Sequence, residues 1–228
     1  MKTIGIDIGT TTISAVVMDT EKRKLLASKT VPNGSFIRTE REWERIQDVK
    51  LLMKKAKEIL DELILQHPDT EAIGLTGQMH GILYTDGEGR CISPLYTWQD
   101  GSGDQPEFDG ESIAAQVTRK YGIFAATGFG LVTYLYHVKK GLVPEESTAV
   151  CTISDYLGMW LTGRKSPLVH ASNGASIGFY DTKDWRFREE MIIDAGMELS
   201  MLPEVTTEVK KLGTYCKIPV FVALGDNQ

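Results

Sequence analysis

Three short apolar segments at the beginning of the chain restrict its architecture more strongly than any later part of the sequence. Residues 2–8, 12–19 and 24–31 have the pattern of strands, and a Gly-Thr pair and a Glu-Lys-Arg turn separate them. Turns this short reverse the direction of the chain, so the three segments predict an antiparallel meander. The sequence therefore opens as a three-stranded antiparallel unit.

After this opening, the pattern changes to alternating helices and strands. Residues 42–66 place apolar side chains at three- and four-residue spacing, which predicts one long amphipathic helix. Residues 72–76 follow a His-Pro-Asp turn and predict a short interior strand. Later segments predict helices over residues 111–121, 131–140, 154–162 and 185–196 and a strand over residues 218–224. Ser154 is the expected N-cap of its helix, and Gly163 follows the end of that helix. This alternation predicts an α/β domain with a mixed β-sheet flanked by helices.

The composition is that of an ordinary globular protein and argues against two classes of partner. The 228 residues are 42% hydrophobic and 25% charged, and the net charge is −6. This charge opposes binding to nucleic acid or to an anionic membrane, because both require a basic surface. No apolar run in the sequence approaches the ~20 residues of a membrane span, and the first residues do not form a signal peptide. Cys91, Cys151 and Cys216 lie far apart, which predicts reduced thiols in a cytoplasmic protein.

The first candidate site is the turn between the first two strands. Asp7 ends the first strand, and Gly9, Thr10, Thr11 and Thr12 follow. Gly9 lets the backbone approach a ligand closely, and the amides and hydroxyls after it form a donor surface suited to phosphate oxygens. The Asp7 carboxylate is a candidate ligand for hydrated Mg²⁺. The alternative interpretation is an ordinary hairpin turn that leads into a Thr-rich strand.

Two later polar segments are candidates for binding a sugar. Gln78, Met79 and His80 lie between two glycines directly after the predicted interior strand, and their polar groups suit sugar hydroxyls. Trp98 and Asp100 combine an aromatic ring that can cover the C–H face of a sugar with a carboxylate that can accept from two hydroxyls. The alternatives are a tight turn with a structural histidine and a core tryptophan beside a surface aspartate.

Two further aspartates differ in what their context predicts. Asp226 follows the last predicted strand, where a carboxylate can act as a general base toward a hydroxyl nucleophile. The alternative for Asp226 is a turn-forming Asp-Asn pair. Asp155 lies at the start of a predicted helix, where stabilisation by the helix dipole explains it fully and leaves it no chemical role.

Taken in order, these segments resemble the N-terminal domain of the FGGY family of carbohydrate kinases. The resemblance is carried by Asp7-Ile8-Gly9-Thr10-Thr11, Gly77-Gln78-Met79-His80-Gly81, Trp98-Gln99-Asp100, Ser154-Asp155-Tyr156-Leu157 with Leu161-Thr162-Gly163, Ser172-Asn173-Gly174-Ala175-Ser176 and Gly225-Asp226-Asn227-Gln228. Each segment is a weak signal alone, whereas six in register are specific. Residues 97–101, 127–130 and 222–226 are most similar to the sedoheptulokinase branch of the family, and residues 78–80 are also similar to xylulokinases.

The resemblance implies a ribonuclease-H-like (actin-like ATPase) domain over residues 1–228 that takes part in transfer of the ATP γ-phosphate to a sugar hydroxyl. The implied substrate is a ketose such as sedoheptulose or xylulose, with ATP and Mg²⁺ as cofactors. Asp226 would be the general base and Asp7 the Mg²⁺ ligand, and Asn173 would join the sugar-binding residues. The resemblance also implies a C-terminal ATP-binding domain that is absent from this chain, so residues 1–228 alone are expected to be inactive. The oligomeric state stays open, a homodimer included.

Two positions depart from the family pattern. Ser102 stands where the family commonly has an arginine, and His170-Ala171 stands where an acidic residue is common. Both positions are expected near the sugar, so a different substrate or weakened activity is left open. Two other functions also stay open, namely a non-catalytic actin-like or chaperone-type ATPase domain and a stand-alone sugar-binding module. The Trp98 segment and residues 78–80 favour the kinase over the chaperone, because a chaperone has no use for a sugar pocket.

Overall fold

The computed structural model describes residues 1–106 and 110–226, so Asn227 and Gln228 lie outside the described residues. Its strands are β1 (Lys2–Ile8), β2 (Thr12–Asp19), β3 (Lys24–Pro32), β4 (Phe36–Ile37), β5 (Ile46–Gln47), β6 (Thr70–Gly77), β7 (Leu83–Thr85), β8 (Leu95–Tyr96), β9 (Ala149–Cys151), β10 (Leu168–His170), β11 (Tyr180–Asp181), β12 (Arg186–Phe187), β13 (Glu204–Thr206), β14 (Lys211–Tyr215) and β15 (Ile218–Phe221). Its helices are α1 (Val49–Gln66), α2 (Ile113–Tyr121), α3 (Gly130–Lys140), α4 (Ile153–Thr162), α5 (Ala171–Gly174) and α6 (Glu189–Asp194). Short 3-10 turns cover Ser102–Asp104, Ala175–Ile177 and Leu199–Met201.

A six-stranded mixed sheet with the order β14-β15-β6-β1-β2-β3 forms the centre of the fold. The first three strands make the predicted antiparallel meander, and β1 also pairs in parallel with β6. On its other side β6 pairs in parallel with β15, which is antiparallel to β14. The sequence did not predict β14 as a strand. The arrangement confirms the predicted α/β class with a mixed sheet.

Apolar side chains from the sheet and from two helices make the main core. Alternate residues of β1 point into it, so that Ile4, Ile6 and Ile8 are buried, and α1 and α4 contribute their apolar faces. Burial of a side chain of this size contributes roughly 1.5–3 kcal/mol. A second core packs α2 and α3 against later segments that include Ile177, Phe179 and Met201.

The long helix begins later than the sequence predicted. Residues 42–48 are not helical, because Ile46 and Gln47 form β5 and pair with both β4 and β8. The helix begins after Asp48, whose side chain caps it by accepting from the backbone N–H groups of Lys50 and Leu51. The predicted start at residue 42 was therefore wrong, since the helical spacing of apolar residues continues into a short strand.

Three other predicted boundaries were also wrong. Thr152, not Ser154, is the N-cap of α4, and its Oγ1 accepts from the Asp155 N–H at 3.3 Å. The helix predicted over residues 185–196 spans only Glu189–Asp194, because residues 186–187 pair with β11 instead. The last strand ends at Phe221 instead of residue 224. Gly163 ends α4 in the left-handed conformation, as predicted.

Candidate active site

Three loops meet at one edge of the central sheet. Because β1 and β6 are parallel and Ile8 pairs with Gly77, the loops that follow these strands leave the sheet side by side. The parallel strand β15 brings residues 222–226 to the same edge. In open α/β sheets, ligands bind beyond the carboxyl ends of the strands, so the topology alone marks this edge as a site.

A cavity of about 370 Å³ opens at this edge. Its lining residues come from all three loops and from the segment after β8, and they are Gly9, Thr10, Gln78, Met79, His80, Trp98 and Asp226. Every one of them is a residue that the sequence singled out as a candidate. The structure thus brings together residues that lie as far apart in the sequence as Gly9 and Asp226.

The turn after β1 is held in place by two buried amide side chains. Asn33 Nδ2 donates to Gly9 O at 2.8 Å, and Gln47 Nε2 donates to Thr10 O at 3.0 Å. Gln47 in turn accepts from Gln78 Nε2 at 2.8 Å, which joins this turn to the loop after β6. The sequence analysis missed Asn33 and Gln47, since a single amide outside any motif gives no signal.

The three threonines of this turn differ in their surroundings. Thr10 is half-buried and lines the cavity, whereas Thr11 and Thr12 are exposed at its outer end. Gly9 has little room for a side chain, because a Cβ there would lie 3.0 Å from Thr12 O. The backbone therefore packs closely in this turn, and Gly9 and Thr10 bring it to the cavity.

His80 is held in an unusual backbone conformation by two neighbours. Its φ angle is 72°, a left-handed value that non-glycine residues rarely adopt. Its backbone N–H donates to Ser176 Oγ at 3.2 Å, and its ring stacks on Phe129 at 5.0 Å between ring centroids. Strain of this kind concentrates at functional sites.

The hydrogen bond of the His80 ring fixes its tautomer. Nδ1 lies 2.6 Å from Ser176 O, and because a carbonyl oxygen can only accept, Nδ1 carries the proton. In the neutral ring Nε2 is then an acceptor, and within residues 1–106 and 110–226 it has no hydrogen-bond partner. An acceptor in this position suits a ligand hydroxyl.

Trp98 lines the cavity and contacts the turn of residues 9–12, a phosphate-type turn with a glycine and three threonines. Its side chain is 46% exposed, which is unusual for so large an apolar ring, and its Nε1 donates to Thr10 Oγ1 at 2.9 Å. Thr10 Oγ1 also lies 3.4 Å from Gln78 Oε1, so one hydroxyl links three site residues. The exposed ring face is available to an apolar surface of a ligand.

The charge of Asp226 acts on Asp7 at this edge. Burial raises the pKa of Asp7, and the nearby charge of Asp226 raises it further. Asp7 Oδ1 is buried and has no hydrogen-bond partner in the described part of the chain. An unpartnered carboxylate oxygen beside a second carboxylate fits a divalent cation, which would relieve both effects. Among the described residues there is no cluster of three metal-ligating side chains.

Asp226 is carried by a loop that is fastened on both sides. The hydroxyl of Thr76 donates to Leu224 O at 2.8 Å, and the Gly225 N–H donates to Ser172 Oγ at 3.0 Å. Gly225 is required at this close approach, because a Cβ would lie 2.8 Å from Met79 Cε and 2.9 Å from Ser172 O. The Asp226 side chain itself is exposed.

Two predicted sugar-binding residues lie outside the lining of the cavity. Asp100 is 1% exposed, and its carboxylate accepts from the backbone N–H groups of Arg45 at 3.1 Å and Ser102 at 3.0 Å. Asn173 is buried, and its Nδ2 donates to Thr152 Oγ1 at 2.8 Å. Asp100 therefore holds two loop segments together, and Asn173 joins α5 to the start of α4. A direct contact of either side chain with a sugar stays a prediction.

Asp155 differs from what the sequence predicted. The interpretation was stabilisation by the helix dipole, which would lower the pKa of a carboxyl group at a helix start. Asp155 does lie in the first turn of α4, but it is only 2% exposed, and burial raises its pKa to about 7. The dipole therefore does not explain this residue fully.

The sheet order and its flanking helices define a mixed α/β domain with a cavity at one edge of the sheet. The structure superposes on xylulose kinase from Lactobacillus acidophilus with a TM-score of 0.80 over 99% of this chain and 48% of that chain, at 22% identity. For glycerol kinase from Plasmodium falciparum, solved with ADP, the TM-score is 0.82 over 99% of this chain and 48% of that chain, at 18% identity. These likenesses establish the ribonuclease-H-like, actin-like fold.

The sequence comparisons then establish the family. Residues 2–228 match the N-terminal domain of the FGGY family of carbohydrate kinases, and the chain belongs to that family. Sedoheptulokinase from Mus musculus is 30% identical over 99% of this chain and 53% of its own length. Xylulose kinase from Haemophilus influenzae is 25% identical over 92% of this chain and 45% of its own length. The chain thus spans about half the length of the curated relatives it matches.

Among the described residues, no helix is at once long enough and apolar enough to cross a bilayer.

Proposed function

We propose that the protein containing this chain is an ATP-dependent carbohydrate kinase that phosphorylates a hydroxyl of a ketose, with sedoheptulose or xylulose as the first candidates. The observation that carries the proposal is the shared cavity, in which a free carboxylate, an aromatic face and a phosphate-type turn line one space. Membership of the carbohydrate kinase family supports the reaction class, and the 30% identity to a sedoheptulokinase supports a ketose substrate.

Asp226 is the proposed general base. Its carboxylate is exposed in the cavity at the end of a parallel strand, and the fastened loop before it fixes its position. A carboxylate there can accept the proton of a sugar hydroxyl as the hydroxyl oxygen attacks phosphorus.

The sugar side of the cavity is formed by Trp98, His80 and Gln78. The indole ring offers its exposed face to the C–H face of a sugar, while His80 Nε2 and the Gln78 amide offer acceptors and donors to hydroxyls. Met79 adds apolar contact. Asp100 and Asn173 are assigned to the same pocket as residues that support its walls. Ser102 and Ala171, which depart from the family pattern, bear on which sugar is accepted.

The phosphate side is formed by the turn after β1. The N–H groups and hydroxyls of Gly9 to Thr12 would hold phosphate oxygens of ATP, and Asp7 would hold Mg²⁺ through its unpartnered Oδ1. When bound, Mg²⁺ supplies positive charge that offsets the charge of the phosphates, which a turn without lysine cannot do. The remainder of the ATP site is assigned to a second domain outside this chain.

The decisive experiment replaces Asp226 by Asn in the full-length protein. Asn keeps the shape of the side chain but cannot accept a proton, so turnover should fall by ~10²–10⁴-fold while sugar affinity stays within a few-fold. Asp184→Asn is the matched control, because it makes the same change at an exposed position that does not line the cavity.

The outcome separates the functions left open by the sequence. Turnover of Asp226→Asn within a few-fold of the wild type would remove Asp226 from the mechanism. A rate of ATP hydrolysis that does not change with any ketose or polyol tested would favour an actin-like ATPase. Sugar binding without ATP turnover in the wild type would favour a binding module.

A further inference from the structure

A buried polar cluster lies behind the cavity, at the start of α4. Thr152 Oγ1 donates to Asp155 Oδ2 at 2.7 Å, and Asn173 Nδ2 lies 3.0 Å from the same oxygen. Ser154 Oγ lies 3.2 Å from Asn173 Nδ2 and 3.1 Å from Thr152 Oγ1. All four side chains are almost completely buried, so water does not compete for these bonds.

If Asp155 is ionised, the cluster has more hydrogen-bond acceptors than donors. Asp155 Oδ1 and Asn173 Oδ1 are both buried, both accept only, and neither has a partner within the described residues. A proton on Asp155 Oδ1 converts one of these two acceptors into a donor. An acid and an amide can then pair reciprocally, each donating one hydrogen bond to the other.

Among the residues that the structure describes, no charged group compensates an ionised Asp155. The titratable group that faces it from the preceding strand is the Cys151 thiol, whose pKa the buried carboxyl helps to raise. From α5 it is faced by the neutral amide of Asn173. In the part of the chain that the structure describes, no lysine, arginine or histidine pairs with this carboxyl. A buried carboxylate without a cation is strongly disfavoured.

The element that Asp155 holds through Asn173 also positions the two reactive sides of the cavity. The residue before Asn173, Ser172, accepts from the Gly225 N–H and so fastens the loop of Asp226. Ser176, three residues after Asn173, donates to Asn173 O at 2.7 Å and binds His80 through both its carbonyl and its hydroxyl. Movement of Asn173 would therefore displace the contacts of both site residues.

We infer that Asp155 is a positioning residue that acts as a neutral carboxylic acid, pairing with Asn173 to fix α5 and through it His80 and the loop of Asp226. The catalytic part of this inference rests on the proposed function above. Its side chain is not among those that line the cavity, and its effect passes through Asn173, Ser172 and Ser176.

The test compares two substitutions at Asp155 in the full-length protein. Asp155→Asn preserves one donor and one acceptor in the same places, so kcat and KM for the sugar should stay within about three-fold of wild type. Asp155→Leu removes both, and kcat/KM should fall at least ten-fold. Leu157→Ala, a core truncation on the same helix, is the control: it should lower stability without changing kcat/KM under conditions where the protein is folded.

A second measurement does not depend on activity or on the Leu variant folding. Infrared spectra near pH 6 should contain the carbonyl band of a buried protonated carboxyl group that is lost in Asp155→Asn, and the His80 ring signals in NMR should be the same in both proteins. The inference is overturned if Asp155→Asn loses as much activity as Asp155→Leu, or if the wild type lacks the band. Absence of any sugar-dependent turnover in wild type, with the band present, would instead refute the proposed function alone.

Discussion

The protonation of Asp155 predicts how the stability of the protein depends on pH. Burial raises the pKa of this carboxyl group from 3.8 to about 7 in the folded protein. Between these values the folded state retains a proton that the unfolded state has released. Because the unfolded state binds fewer protons in this window, the free energy of unfolding falls as the pH rises through it, and the loss is complete above about pH 7.

The size of the effect follows from the pKa values. At about 1.4 kcal/mol per pH unit, the whole window corresponds to about 4 kcal/mol, of which about 2 kcal/mol falls between pH 5 and pH 7. The dipole of α4 acts in the opposite direction, but a helix dipole contributes at most ~2 kcal/mol in partly buried geometry. Burial therefore outweighs the dipole, and the carboxyl group stays protonated over most of this range.

Urea unfolding of the wild type and of Asp155→Asn at pH 5, 6, 7 and 8 measures the effect. Asp7 and Asp100 also have pKa values raised by burial, but they contribute equally to both proteins, so the difference between the two curves isolates Asp155. The free energy of unfolding of the wild type, relative to that of Asp155→Asn, should fall by about 2 kcal/mol from pH 5 to pH 7 and then level off. Parallel curves, or a difference that grows in the opposite direction, would refute the reasoning.

Three further predictions concern the site and the chain as a whole. Asp7→Ala in the full-length protein should reduce turnover far more than sugar affinity, because its proposed task is to hold Mg²⁺; calorimetry with sugar alone tests this, and lost affinity with normal turnover would contradict it. Gln47→Leu should lower stability by about 2 kcal/mol, since it leaves the buried Gln78 Nε2 and the half-buried Thr10 O without their partner; an unchanged urea midpoint would contradict it. Residues 1–228 alone should show no sugar-dependent ADP release, because phosphoryl transfer requires both reactants to be positioned; robust release would show that this chain suffices.

Local pattern predicted much of the central sheet. The strands of the meander and β6 carry period-two or continuous apolar patterns bounded by turns, and these signals do not depend on distant contacts. The start of α1 was mispredicted because residues 42–48 continue a helical apolar spacing. In the fold, Gln47 is instead stabilised by its pairing in β5 and by the hydrogen bond that its side chain donates to Thr10 O. Tertiary contacts of this kind override local propensity.

The candidate site was predictable where the residue type and its position in the sequence together indicate a chemical role. Trp98, His80 and Asp226 stood out beside glycines or at strand ends, and all three line the cavity. Asn33 could not be identified in the same way, because it is a small polar residue whose importance lies in a contact with a residue 24 positions away. Ser176 belongs to a segment that carries the family resemblance, but its contacts with His80, 96 positions away, were not predicted. The protonation state of Asp155 depends on its burial, and no local sequence pattern around that residue indicates this burial.

The position of α5 explains why these unpredicted contacts matter for function. A helix of four residues cannot be stable alone, since its nucleation costs more than its few hydrogen bonds return. Its place must therefore come from its side chains, and Asn173 supplies the buried attachment while Ser172 and Ser176 connect outward to the cavity. The geometry between an attacking hydroxyl and its base tolerates little displacement, and a shift of about 1 Å from a distant change can cost on the order of 10²-fold in rate. The precision of the cavity thus depends on a buried acid–amide contact between two residues that do not line it.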